Sequence, residues 1–199
     1  MKILLLTITL LIFNFSERVF AEPAKVVKYQ GKVLINKKII ESGLIPLGAE
    51  IDTTAEKASL ILRTSDGKIL RFSEGIAKYE GPSLVEVLKG KLFAFIRNVP
   101  KKGKEFKVRT RTAAMGVRGT KFLVLEEEKE SYLCVCEGVV EARKKTQPDK
   151  LISVNAGFDL SIQEDKVLES PSKASKIMWK IAKNGFEEMG VPIKTPVSE

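Results

Sequence analysis

Histidine is absent from all 199 residues. No side chain with an ordinary near-neutral pKa is present, so Ser-His-Asp catalysis, Cys-His catalysis and His-ligated zinc are excluded together. Cysteine is scarce: Cys134 and Cys136 are the only 2, too few for a disulfide framework. Alternation along a strand would put both on one face, and bridging them would force that strand out of its geometry. They read as small core side chains, with a redox or soft-metal pair as the alternative. Amphipathic helical patterns are missing between Lys25 and Ile162, which argues against a doubly wound parallel sheet. The Gly-Lys-Ser/Thr ending of a phosphate loop is missing too. Ser-Lys chemistry or a carboxylate pair survives on paper, but neither has a local signature. Glu74, Glu80 and Glu86 are merely close in sequence. The chain reads as non-enzymatic, with no cofactor and no metal site expected.

Long apolar runs are also lacking. The longest, Ile3–Phe13, falls well short of the roughly 20 residues that cross a bilayer. With Lys2 before it and Val19-Phe20-Ala21 after it, this run is expected to belong to a signal peptide over 1–21, cleaved after Ala21. A periplasmic or secreted location follows, with no transmembrane segment in the mature chain. Net charge is +9, of which the leader holds little through Lys2, Arg18 and Glu17. A basic surface attracts anionic partners, and salt weakens that attraction. Export points to an envelope protein or an anionic envelope polymer and away from nucleic acid.

Short runs of Val, Ile, Leu and Phe between glycine-containing turns read as strands. They include Val26–Tyr29, Lys32–Ile35, Glu50–Thr53, Ser59–Arg63, Ile69–Phe72, Leu84–Leu88 and Leu92–Arg97. Further candidates are Phe106–Arg111, Lys121–Leu125, Tyr132–Cys136, Val139–Arg143, Leu151–Val154 and Phe158–Ile162. Asp66-Gly67 suits a tight hairpin. Asn98–Lys104 reads as an exposed basic loop, and Glu126-Glu127-Glu128-Lys129-Glu130 as a connection too charged to bury. Glycines recur at near-equal spacing, as in Gly119, Gly138 and Gly157, which in a solenoid could mark circuits of the chain. The expected fold is all-β, a roll-like or solenoid-like domain over 22–168, with a sandwich as the alternative and the sheet wrapped closed.

A C-terminal segment, 169–199, holds a short α-helix expected to begin near Lys173 after Ser170-Pro171-Ser172 and to stop at Gly185. Its apolar stripe is expected to include Ala174, Ile177, Met178 and Ile181, docking with Trp179 on the β domain; a membrane-surface role is the alternative. The tail from Pro192 reads as disordered.

Between Lys104 and Glu141 the pattern becomes specific. Phe106, Val108 and Thr110 alternate with Lys107, Arg109 and Arg111, so a strand there displays cations on one face. Lys101, Lys102 and Lys104 would extend that patch, a candidate seat for an anionic partner. An ordinary solvated face is the alternative. Gly116-Val117-Arg118-Gly119-Thr120 follows, with glycines suited to close backbone approach, and Arg118 is expected to brace a turn by bonding carbonyls, with binding of a ligand carboxylate as the alternative.

Several of these elements, in order, resemble the FecR-type domain of bacterial envelope proteins. Leu47-Gly48-Ala49-Glu50-Ile51-Asp52-Thr53 precedes the Asp66-Gly67 turn, followed by Leu88-Lys89-Gly90-Lys91-Leu92 and Phe106-Lys107-Val108-Arg109-Thr110. Then come Gly116-Val117-Arg118-Gly119-Thr120-Lys121-Phe122, Val135-Cys136-Glu137-Gly138-Val139-Val140 and Val154-Asn155-Ala156-Gly157. The resemblance implies an all-β fold without a catalytic centre. It also implies structural roles for Gly116, Val117, Arg118, Gly119, Thr120, Phe122, Glu137, Gly138 and Gly157. Named members relay a signal from an outer-membrane receptor to a sigma factor, through a cytoplasmic helical segment and a membrane span. This sequence departs from that pattern by opening on a leader, so the resemblance implies only the exported sensing or interaction portion.

Overall fold

The structure is a computed structural model that describes residues 22–40, 43–97 and 105–194. The expected leader, Lys101, Lys102, Lys104 and the end of the tail lie outside the described residues. The described chain forms an all-β domain with one C-terminal helix. Its strands are β1 (Ala24–Gln30), β2 (Leu34–Ile35), β3 (Lys38–Ile39), β4 (Leu44–Ile45), β5 (Ala49–Asp52), β6 (Ser59–Arg63) and β7 (Ile69–Gly81). They continue as β8 (Leu84–Phe95), β9 (Phe106–Arg109), β10 (Ala113–Glu126), β11 (Glu130–Lys144), β12 (Leu151–Asn155), β13 (Phe158–Gln163) and β14 (Ser172–Lys173), before helix α1 (Lys176–Glu188).

All strands join one open sheet, built around two long hairpins, β7–β8 and β10–β11, that pair with each other through β8 and β10. Every pairing is antiparallel except β8 with β9. A solenoid would stack its circuits in parallel, so the glycine spacing marks hairpin turns and bulges instead, and the sheet does not close.

Each long hairpin carries the same irregularity. Between Ser73 and Ile76 the first hairpin gains one residue over Lys91–Lys89, then loses it before Val87. Between Arg118 and Lys121 the second gains one over Val139–Glu137, then loses it before Val135. Each bulge shifts the alternation, so that Val85 and Val87 face inward before it and Leu92 and Ala94 after it. On β11, Leu133 and Val135 give way to Val140 and Ala142 in the same manner. The inward face therefore stays continuous while the strands bend. Both halves of the curled sheet line one apolar core, in which Leu60, Leu70, Phe72 and Phe122 of one half meet Ile51, Tyr79, Val85 and Met115 of the other.

Bending creates two outer faces with different fates. One, formed by β6 with the Ile69–Ser73 part of β7, the Lys91–Phe95 part of β8 and the facing parts of β10, β11 and β13, is covered by α1 in a second core. Ile61, Ile69, Phe93, Leu123, Cys134 and Cys136 pack there with Ala182, Phe186, Met189 and Ile193. Both cysteines are free and share this face, as strand alternation requires. The helix begins three residues later than expected, with Ser175 as N-cap accepting from the Met178 N–H at 3.2 Å. Of its expected packing stripe, Ala174, Met178, Trp179 and Ile181 lie against this core, whereas Ile177 is 73% exposed; Ala182, Gly185 and Phe186 complete the buried side. Ile193, assigned to a disordered tail, is buried.

Gly185 does not stop the helix. It lies within α1, where a Cβ would come 2.1 Å from the Phe93 ring. Phe93 in turn packs edge-on against Phe186, with centroids 6.0 Å apart. Alanine normally stabilises a helix interior by about 1 kcal/mol relative to glycine. Here Gly185→Ala is expected to destabilise by about 1–3 kcal/mol, because the ring must move. A rise in the denaturant midpoint would show that α1 does not sit on Phe93.

Candidate functional site

The second outer face is uncovered among the described residues. It is formed by β5, β9, β12 and the Ile76–Gly81, Leu84–Val87, Ala113–Arg118 and Val139–Lys144 parts of the long strands, and among the described residues no helix or strand covers it. Alternation sends Ala113, Met115 and Val117 into the core and leaves Ala114, Gly116 and Arg118 facing out along β10. On the flanking strand β9, Phe106 and Val108 are buried while Lys107 and Arg109 are exposed. On β11, the other flank, Glu141 and Arg143 are exposed. The register sets Arg109 and Arg143 directly on either side of Ala114, and Lys107 and Glu141 on either side of Gly116. Small residues between long ones make a shallow groove of about 210 Å³, lined also by Glu105. The Glu105 carboxylate lies over Gly116, since a Cβ there would fall 2.2 Å from its Oε1.

Among the described residues Lys107, Arg109 and Arg143 make no ion pair within 4.0 Å, although Arg109 is beside Glu86 in register. Their charges are available to an incoming group. Sequence alone did not bring Arg143 or Glu141 to this place, because the pairing that does so is non-local.

Arg111 leaves the patch. Strand β9 ends at Arg109, and the chain turns through Thr110, whose N–H donates to the Ala113 carbonyl at 3.0 Å. Arg111 instead donates to the Glu127 carbonyl at 2.7 Å and approaches Glu126 at 3.6 Å. Glu126, placed by its sequence neighbours in an unburiable connection, is only 1% exposed. Ser131 donates to its Oε2 at 2.5 Å, and the Ser131 hydroxyl lies 2.6 and 2.5 Å from those of Thr110 and Thr112. This buried network ties the end of the β10–β11 hairpin to the turn before it. Burial raises the Glu126 pKa above its ordinary 4.5, against the lowering effects of Ser131 and Arg111. The folded state then holds that proton more tightly than the unfolded chain, so this group's contribution to stability falls as pH rises from 4.5 through the raised value. The stability of Glu126→Gln relative to the native protein is expected to shift in the variant's favour between about pH 4 and pH 7. Denaturant midpoints measured across that range check this; a shift in the opposite direction would mean that Arg111 outweighs burial.

The remaining motif residues shape the sheet. Val117 and Phe122 point into the core, and Thr120 is buried beside the bulge. Gly119 and Gly138 face each other across that bulge: a Cβ on Gly138 would lie 2.6 Å from the Gly119 carbonyl oxygen. Gly157, with φ +83, shapes the β12–β13 turn and donates to the Val135 carbonyl at 2.8 Å. Arg118, expected to brace a turn, lies exposed in β10 opposite Val139 and makes no side-chain hydrogen bond among the described residues. Glu137 accepts from Lys121 at 3.1 Å, and Lys121 also donates to the Pro192 carbonyl at 2.7 Å, fastening the chain beyond α1.

Both thiols lie buried beneath the helix. Cys134 is pushed far up in pKa by its hydrogen bond to Cys136, then by burial and by nearby Asp159. Asp159 accepts hydrogen bonds from Tyr132 and from the Ser175 N–H, anchoring the start of α1. Among the described residues no group of 3 or more His, Cys, Asp and Glu side chains is placed to hold a metal. No helix among them is long and apolar enough to cross a membrane.

These features define an all-β domain built on one curled sheet, with one outer face sealed by a helix and the other grooved and open. Within that class, residues 52–141 match the family model described as FecR protein. The bulge glycines Gly90 and Gly138, the first long hairpin and the groove-forming Gly116 lie within the match, which ends at Glu141 inside β11. Two crystal structures of a provisionally assigned anti-sigma factor from Parabacteroides distasonis, at 2.50 and 1.65 Å resolution, are similar at 21% identity. They align over 66% and 68% of this chain and 63% and 61% of theirs, with TM-scores of 0.45 and 0.43. The similarity therefore spans less than two thirds of those proteins. No curated protein matches the sequence.

Proposed function

We propose that this chain is an exported, non-catalytic FecR-type module that binds another protein in the bacterial envelope, in a sensing or regulatory role. The observation that carries the reading is the uncovered outer face: small residues floor a groove whose cations make no ion pair among the described residues, while the opposite face is covered by α1. The FecR match supports a regulatory or sensing role. Lys107, Arg109 and Arg143 also admit a second reading, binding to an anionic envelope polymer such as peptidoglycan or lipopolysaccharide.

A crosslinking pull-down of the tagged full chain from cells, followed by protein identification, separates the two. Enrichment of one envelope protein that persists in moderate salt is the expected result. Recovery of nothing above background, together with cosedimentation on cell-wall polymer that salt abolishes, would replace the protein-binding reading with the polymer one.

A further inference from the structure

The groove has two rows of opposite character. In the Ala114 row, arginines stand on both sides, Arg109 on β9 and Arg143 on β11, with only a methyl group between them. Neighbouring strands are about 4.8 Å apart, so the two backbones flank a gap of roughly 10 Å that two guanidinium groups can close from either side. In the Gly116 row, Lys107 faces Glu141, and the Glu105 carboxylate lies over the glycine. The first row, with Glu86 beyond Arg109, is net cationic, and the next, two residues or about 7 Å along the strand, carries more negative than positive charge.

We infer that the Ala114 row is a carboxylate seat, in which Arg109 and Arg143 clasp one aspartate or glutamate side chain of a partner polypeptide crossing this face. This rests on the protein-binding reading above and names its chemistry. The planar fork of each guanidinium matches a carboxylate, and among the described residues neither pairs with an acid within 4.0 Å, although Glu86 stands beside Arg109. The Gly116 row selects the occupant. A polymer with an anion at every repeat must set a second charge against Glu105 and Glu141. A polypeptide can place one acid over Ala114 and a neutral or basic residue over Gly116. Repulsion in the second row thus discriminates as strongly as attraction in the first.

The test uses the full chain with 15N-labelled arginine, whose Nε–H signals report on Arg109 and Arg143. The probes are a short peptide of alternating Asp and Lys, polyglutamate of the same length, and polyphosphate. The alternating peptide is expected to shift both signals and to bind more tightly than either polyanion. The double variant Arg109→Gln/Arg143→Gln is expected to lose on the order of tenfold or more in peptide affinity. Glu105→Gln/Glu141→Gln is expected to strengthen polyanion binding instead. Tighter binding of a polyanion than of the alternating peptide by the native chain, or an unchanged double-arginine variant, would overturn the inference. A partner protein captured equally well by the double-arginine variant would overturn the carboxylate seat alone and leave the protein-binding reading standing.

Discussion

Gly90→Ala is expected to destabilise the protein by about 3 kcal/mol or more, lowering Tm by about 6–12 °C. Two independent features combine at this position. Gly90 has φ +86, a conformation that side-chain-bearing residues adopt only with strain. A Cβ there would also lie 2.4 Å from the Glu74 carbonyl oxygen and 2.6 Å from the Gly75 Cα. These are backbone atoms in the core of a hairpin, so relief requires the two strands to separate. Gly138, in the equivalent place of the second hairpin, has φ +82 and meets the Gly119 carbonyl oxygen at 2.6 Å and the Thr120 methyl at 2.7 Å. Gly138→Ala is expected to behave alike, with a smaller loss because a side-chain methyl can shift. Thermal unfolding of both variants checks the pair. A change in Tm of only a degree or two would mean that the strands do not cross so closely and that the sheet is not bent at these points.

Phe186→Ala is expected to make Cys134 and Cys136 about a hundredfold more reactive toward a thiol reagent while the β-sheet signal in circular dichroism persists. Phe186 is fully buried, and truncating such a ring costs about 3–5 kcal/mol. Much of that loss falls on the docking of α1, since Phe186 packs on Phe93 and the helix has little else beneath it than the second core. The two thiols, 0% and 5% exposed, lie in that core. A helix of 13 residues gains little stability on its own, so weakened docking raises the open population by local rather than global unfolding. The Arg71–Glu188 ion pair at 2.6 Å and the Lys121 contact to Pro192 remain to hold the segment partly in place. Labelling that accelerates only in step with loss of the sheet signal would show that α1 and the sheet unfold as one unit.

Most strands are legible in the sequence, and the places where the reading breaks are informative. Leu84–Leu88 and Leu92–Arg97 read as two strands but belong to one, β8, and Tyr132–Cys136 and Val139–Arg143 likewise belong to β11. A pattern search follows a period of two, and each bulge slips that period by one residue. Val87 to Leu92 and Val135 to Val140 therefore look like breaks, although the chain stays paired throughout. Arg111 continues the alternation of Lys107 and Arg109 in sequence yet turns away, because β9 has already ended. Glu126 looked unburiable beside Glu127 and Glu128; three hydroxyl groups and Arg111, which local composition does not reveal, make its burial tolerable. Gly185 reads as a helix stop, but it lies inside α1 because the Phe93 ring occupies the space a side chain would need. The groove was half legible. Lys107 and Arg109 declare themselves by alternation, whereas Arg143 and Glu141 join them only through the β10–β11 register. That β9 pairs with β8 in parallel and with β10 antiparallel has no local signature at all.

The direct test of where partners dock is site-specific photo-crosslinking in living cells, with a photoreactive amino acid placed at one exposed position per chain. Ser153, on β12 beside Glu141, samples the bare outer face, and Lys180 samples the solvent side of α1. A discrete protein adduct from Ser153 and none from Lys180 is the expected outcome. No adduct from Ser153, or one from Lys180 in its place, would contradict the assignment of the uncovered sheet face as the binding surface.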